Sequence, residues 1–164
     1  MPPCFLDCPC NCRSTDTRFD CLLASETNFE ITVQRLALSN VGWFCDLDDL
    51  RFNEWRISKT SGVYALWHKD EYCADHDLFH CKALYIGKGR VKSRIYNHAK
   101  TKHFGDANLV CFSYLEIPNR KAKYVEQLLL DLYNFPMNSN ENTGKGKLCY
   151  YLTQSQADFG TMAV

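Results

Sequence analysis

No apolar run among these 164 residues approaches the roughly 20 residues needed to cross a bilayer, so no membrane partner is expected. The N-terminus lacks a basic stretch followed by a long apolar run; it shows no secretory leader, and the expected setting is a cytoplasm with reduced thiols. There is no net charge, because 19 Lys and Arg balance 19 Asp and Glu, so the overall balance selects no class of partner. No repeat or low-complexity tract divides the chain, and its length of 164 residues predicts one compact domain carrying an arm. Two separated cysteine pairs, the usual signature of a four-cysteine zinc site, are also missing.

What is abundant is cysteine, with ten residues. Four crowd into "CFLDCPCNC" (Cys4, Cys8, Cys10, Cys12), and Cys73, His76, His80 and Cys81 lie in "YCADHDLFHC". Neither spacing is a standard zinc pattern, so free or buried thiols are the favoured reading and a structural Zn²⁺ the lesser one.

Charge is balanced in total but not along the chain. From Met1 to Glu54, nine acids against four bases leave a net charge of −5. From Lys82 to His103 there are seven bases and no acid. A polyanion would be drawn to that second stretch, although a solvated helix face explains charge alone equally well.

The pattern predicts an α+β fold. Residues 1–58 read as an acidic, cysteine-rich accessory arm, irregular to about Asp20, with Asn28–Leu38 ambiguous and Asp46–Arg56 a short helix or turn. "GVYALWH" (Gly62–His68) and "KALYIG" (Lys82–Gly87) read as strands that pair antiparallel across a polar, irregular connection, with "GKG" breaking the second. Val91–Thr101 fits a helix, Leu109–Ile117 a third strand, and Asn119–Phe135 a helix capped by Asn119 and ended by Pro136. The expectation is a three-stranded antiparallel sheet flanked by helices over residues 59–150, followed by a tail at 151–164.

Within this frame, Arg94 and His98 are four residues apart and project from one side of a helix, beside the packing stripe of Val91, Ile95 and Ala99. Arginine suits a phosphate because its planar fork donates two hydrogen bonds at once. Glu126 follows Val125 at the edge of the next helix's apolar stripe, and one carboxylate with open positions around it suits Mg²⁺. Taken singly, these residues have ordinary readings: a surface pair, a solvated glutamate, and core aromatics at Tyr64 and Tyr85.

Taken in order, the set resembles the GIY-YIG nuclease family. Its first phrase stands here as "GVY" (Gly62-Val63-Tyr64) and its second as "YIG" (Tyr85-Ile86-Gly87). The family's helix arginine matches Arg94, its frequent histidine His98, its metal-binding glutamate Glu126 and its asparagine Asn138 in "PMN". The resemblance spans Gly62 to about Asn138. It departs in a longer segment between the phrases, and in Gly89, where many members carry a small hydroxyl that could contact phosphate.

The resemblance implies a Mg²⁺-dependent DNA endonuclease, with Mn²⁺ as a substitute ion. Tyr64 would be the general base, Tyr85 would position the water or the phosphate, and Arg94 would neutralise phosphoryl charge. Glu126 would hold the metal, and Asn138 would orient Glu126 or a metal-bound water. His98 would either bond to Tyr64 or share its proton. A tyrosine is a poor base unless nearby cations lower its pKa, and Arg94, His98, Lys88 and the metal are the expected source. Lys88, Arg90, Lys92, Lys100 and Lys102 would hold the phosphate backbone of double-stranded DNA. The setting would be restriction, phage or an interbacterial toxin delivered into a target cell, with an immunity or inhibitor protein and self-association as further partners. The competing readings are an inactive nucleic-acid-binding module, an RNA-cleaving toxin and a cysteine-rich zinc protein.

Overall fold

Both aromatic-glycine phrases lie on the two longest strands. The computed structural model describes residues 31–43, 57, 59–73, 78–101, 110–139 and 142–153. Along the chain these form α1 (Val33–Leu38), β1 (Gly42–Trp43), β2 (Ser61–Cys73), β3 (Leu78–Arg90), α2 (Val91–Thr101), β4 (Val110–Glu116), α3 (Asn119–Leu132) and β5 (Cys149–Thr153). The readings at Met1–Asp20, at Asp46–Arg56 and at Lys102 lie outside the described residues.

The architecture is α+β, with one antiparallel sheet in the order β1-β4-β2-β3-β5. Three strands were expected and five are present among the described residues; the expected three are its centre. The two additions are too short to show a two-residue period. β1 has two residues, and β5 has five, placed just after the Asn-, Gly- and Lys-rich stretch that ends at Lys147.

"GKG" does not break β3. Gly62 pairs with Gly89 and Ser61 with Arg90, so pairing runs to the strand's end, where Gly89 adopts a φ of 119° that an L side chain rarely takes. The polar stretch after His68 likewise stays in the ladder: β2 continues to Cys73, with register shifts at Leu66/Trp67 and Lys69/Glu71. Backbone pairing there outweighs a composition that reads as loop.

Side-chain alternation divides the sheet into two faces. One face carries Val63, Ala65, Trp67, Ile86 and Leu115, packed on Ala122, Val125 and Leu129 of α3 and on Val33, Leu36 and Ala37 of α1. Trp67 donates its indole N–H to Ser113 Oγ at 2.8 Å inside this core. The other face carries Tyr64, Leu66, Phe112 and Tyr114 against Val91 and Ile95 of α2. Residues 31–43, inside the expected arm of 1–58, therefore pack on the sheet, and residues 151–153 of the expected tail pair with β3.

Helix ends also differ from expectation. Pro118 is the N-cap of α3 and contributes no side-chain bond; its carbonyl accepts the Lys121 and Ala122 N–H groups, and Asn119 is the first helical residue. The helix stops at Leu132, before Pro136, as the Tyr133 N–H closes on Leu129 O at 2.9 Å. At the start of α2, the Val91 N–H donates to Thr60 O at 3.1 Å, which ties the helix to the beginning of β2.

Candidate active site

Tyr64 pairs with Gly87 and Leu66 with Tyr85, so both tyrosines lie on the α2 face of neighbouring strands. Their ring centroids are 6.0 Å apart. Gly87 makes this approach feasible. A Cβ there would stand 2.5 Å from Tyr64 Cζ and Oη and 2.8 Å from Tyr85 Cε1, so the Tyr64 ring crosses the strand through the space a side chain would fill.

On α2, Val91 and Ile95 are fully buried, and this seating turns His98 toward the tyrosines. The His98 Nε2 and the Tyr64 hydroxyl share a 2.7 Å hydrogen bond, and the imidazole centroid is 4.5 Å from the Tyr85 ring. This contact is the bond to Tyr64 expected from the sequence, and it is also the path along which a proton could be shared. Arg94, one turn earlier, is exposed, with Nε 3.4 Å from the point where a Gly89 Cβ would stand. A side chain at 89 would touch Arg94 at ordinary contact distance, so the demand for glycine there comes from the backbone φ of 119°.

Glu126 enters from the other side of the sheet. It lies on α3 and meets Lys88, whose strand partner Val63 belongs to the α3 face; Lys88 Nζ is 3.9 Å from Glu126 Oε2. The two halves meet electrostatically at Tyr64. Burial pushes its pKa far above the ordinary tyrosine value, Tyr85 and Glu126 push it further, and Arg94 alone pulls it down. The expectation that surrounding cations would make Tyr64 acidic is therefore corrected for the chain itself. Removal from water outweighs the guanidinium, and Lys88 faces Glu126 instead.

Asn138 is placed differently from the expected role at Glu126. Its Oδ1 accepts the Ile86 N–H at 3.0 Å and its Nδ2 donates to Ile86 O at 2.9 Å. The Met137 N–H adds a bond to Leu84 O at 2.9 Å. β5 pairs with β3 only over Leu78–Lys82, so the turn after α3 covers the strand edge that carries Tyr85, Ile86 and Gly87.

Of the basic residues, Arg90 and Lys100 are exposed, Lys92 is partly so, and Lys100 Nζ lies 4.4 Å from the Tyr96 ring centroid. Sequence reasoning missed Arg120, Lys121 and Lys123, all exposed on the first turns of α3; the same count of bases without acids would have found them. It also missed the steric role of Gly87, which is a contact across strands and leaves no local signal.

Among the described residues no three His, Cys, Asp or Glu side chains cluster as metal ligands. Glu126, one partly exposed carboxylate, fits an ion that keeps most of its water, and Mg²⁺ is such an ion. A zinc site using both His80 and Cys81 is disfavoured, because adjacent strand residues point to opposite faces. Cys81, Cys111 and Cys149 are buried, and the cluster from Cys4 to Cys12 and His76 lie outside the described residues. No helix among the described residues is long and apolar enough to cross a membrane. No protein family, no curated protein and no solved structure matches the chain, so the reading of this site rests on its own residues and geometry.

Proposed function

We propose that the chain is a Mg²⁺-dependent endonuclease acting on DNA, with Tyr64, Tyr85, Arg94, His98 and Glu126 as its working groups. One observation carries the proposal: the 2.7 Å bond between the Tyr64 hydroxyl and His98, in a group where the Tyr64, Tyr85 and His98 rings all lie within 6.0 Å of one another. A core tyrosine needs one partner for its hydroxyl. It does not need that partner to be an imidazole, with a second tyrosine ring beside both.

Hydrolysing a phosphodiester requires a water to lose a proton as it attacks, and charge on the phosphoryl oxygens to be neutralised. Burial keeps Tyr64 protonated at neutral pH, so its hydroxyl serves best as a relay. It accepts the proton of the attacking water while its own passes to His98 Nε2. Tyr85, stacked beside Tyr64, lines the place where that water stands. Arg94 offers its fork to the phosphoryl oxygens. Glu126 would hold the Mg²⁺, which when bound polarises the phosphate and stabilises the leaving oxygen. Asn138 holds the strand that carries Tyr85 and Gly87.

A plasmid-cleavage assay with and without Mg²⁺, on wild type and Glu126→Ala, tests the proposal. Mg²⁺-dependent nicking or cutting by wild type and its loss in Glu126→Ala is the expected outcome, with DNA binding retained because an unmetallated carboxylate near phosphate is removed. Full cleavage by Glu126→Ala would end the assignment. Cleavage of RNA but not DNA would keep the mechanism and change the substrate.

A further inference from the structure

The turn that covers the β3 edge is itself held by a second asparagine. Asn142 Oδ1 accepts the Phe135 N–H at 3.0 Å, and its Nδ2 donates to Phe135 O at 2.8 Å and to Asn134 Oδ1 at 2.8 Å. The same nitrogen lies 3.5 Å from Asn138 O. This repeats, one step further from the sheet, the paired contact that Asn138 makes with Ile86.

The two contacts are in series. Phe135 is fully buried and anchors the start of the turn. Its carbonyl takes the Asn138 N–H at 3.0 Å as well as the Asn142 amide, which closes the Phe135–Asn138 turn. Asn138 then grips both polar groups of Ile86, the residue between Tyr85 and Gly87. An amide is suited to both places because it offers one acceptor and a donor side by side, as a strand residue does.

We infer that Asn142 is a positioning residue of the candidate site: it sets the height of the Phe135–Asn138 turn against the β3 edge, and Asn138 transmits that setting to the Tyr85–Gly87 backbone. The catalytic consequence rests on the nuclease reading above; the mechanical link does not. Reacting groups must be held to within about 0.5 Å, so a small slip of this edge would separate Tyr85 from Tyr64 and His98.

Asn142→Asp tests the link in a switchable way. As a carboxylate it still accepts the Phe135 N–H, but it sets a negative oxygen against Phe135 O. Once protonated, its single O–H donates to Phe135 O and that contact returns, although the second donor, to Asn134 Oδ1, does not. Two quantities are read as variant-to-wild-type ratios against pH: amide hydrogen exchange at Ile86 by NMR, and single-turnover cleavage of plasmid DNA in Mg²⁺.

At pH 8 the Ile86 amide should exchange about tenfold faster in the variant, and cleavage should be about tenfold slower with little change in KM. Both ratios should return toward one as pH falls through the carboxyl range, about 6 to 4. Faster exchange at Phe135 and Asn138 with Ile86 unmoved would overturn the inference, because Asn142 would then hold only its own loop. A loss at every pH without recovery would overturn it too, since general destabilisation does not follow one proton. If Ile86 responds as expected while wild type cuts no DNA, the link stands and the nuclease reading fails.

Discussion

The Tyr64 hydroxyl is buried in the core yet bonded to an imidazole that reaches the surface. Its pKa is raised in the fold, so the tyrosine contributes stability that is fully present below the unfolded value of about 10 and lost as pH climbs beyond it. In ultraviolet titration, Tyr64→Phe should leave the tyrosinate signal of the folded protein unchanged up to pH 10.5, because Tyr64 does not ionise there. On the proposed mechanism, the same substitution should slow cleavage by about 10² or more while the melting temperature moves little, since it removes only the oxygen assigned to the relay. A missing tyrosinate signal in the variant near pH 10 would show that Tyr64 is ordinarily acidic. At the neighbouring position, Gly87→Ala forces a methyl into the Tyr64 ring. The expected cost is about 1–3 kcal/mol in denaturant melts, with cleavage falling further than stability if the displaced ring is, as proposed, the reactive one.

At the scale of elements, β3 and α3 share the ion pair between Lys88 and Glu126. At 3.9 Å and partly in water, the pair is worth no more than about 1 kcal/mol to folding. Its larger effect falls on the carboxylate, since a cation entering at Glu126 must displace or repel the ammonium. Lys88→Met keeps most of the apolar stem and removes the charge. It should leave the melting temperature within a few degrees and tighten Mn²⁺ binding about fivefold, as read by calorimetry on the protein without DNA. Unchanged affinity would mean that Lys88 does not contend with the metal. α2 illustrates how an element serves two ends: Val91 and Ile95 are buried in the second core, and the same helix turn brings His98 onto Tyr64 while Arg94 stays in water.

Across the whole molecule, zero net charge hides a local asymmetry, with exposed bases near the site at Arg90, Arg94 and Lys100 and three more on α3 at Arg120, Lys121 and Lys123. Binding to DNA through such residues releases counterions and reads no bases. Lys92→Ala combined with Lys100→Ala should weaken binding equally on unrelated sequences and reduce the slope of log affinity against log salt by roughly one per lost contact. Fluorescence anisotropy at several salt concentrations measures it, and an unaltered slope would place the DNA elsewhere.

The sequence by itself determined what depends on near neighbours in the chain. The strand alternation around Tyr64 and Tyr85, the four-residue spacing of Arg94 and His98, and the apolar stripe of Ala122, Val125 and Leu129 are all local periods, and the central strands and both long helices follow from them. Tertiary structure alone decided what depends on distant segments meeting. β1 and β5 exist through partners on β4 and β3, because two to five residues carry too little pattern to declare themselves. Glu126 reaches Lys88 from a helix on the face opposite Tyr64. Asn138 bonds to a backbone 52 positions away, and a side chain's choice between a metal and a peptide group is set by which one the fold brings within 3 Å. The protonation of Tyr64 was decided in the same way, since desolvation is a property of everything packed around a group and is not written in the residues beside it.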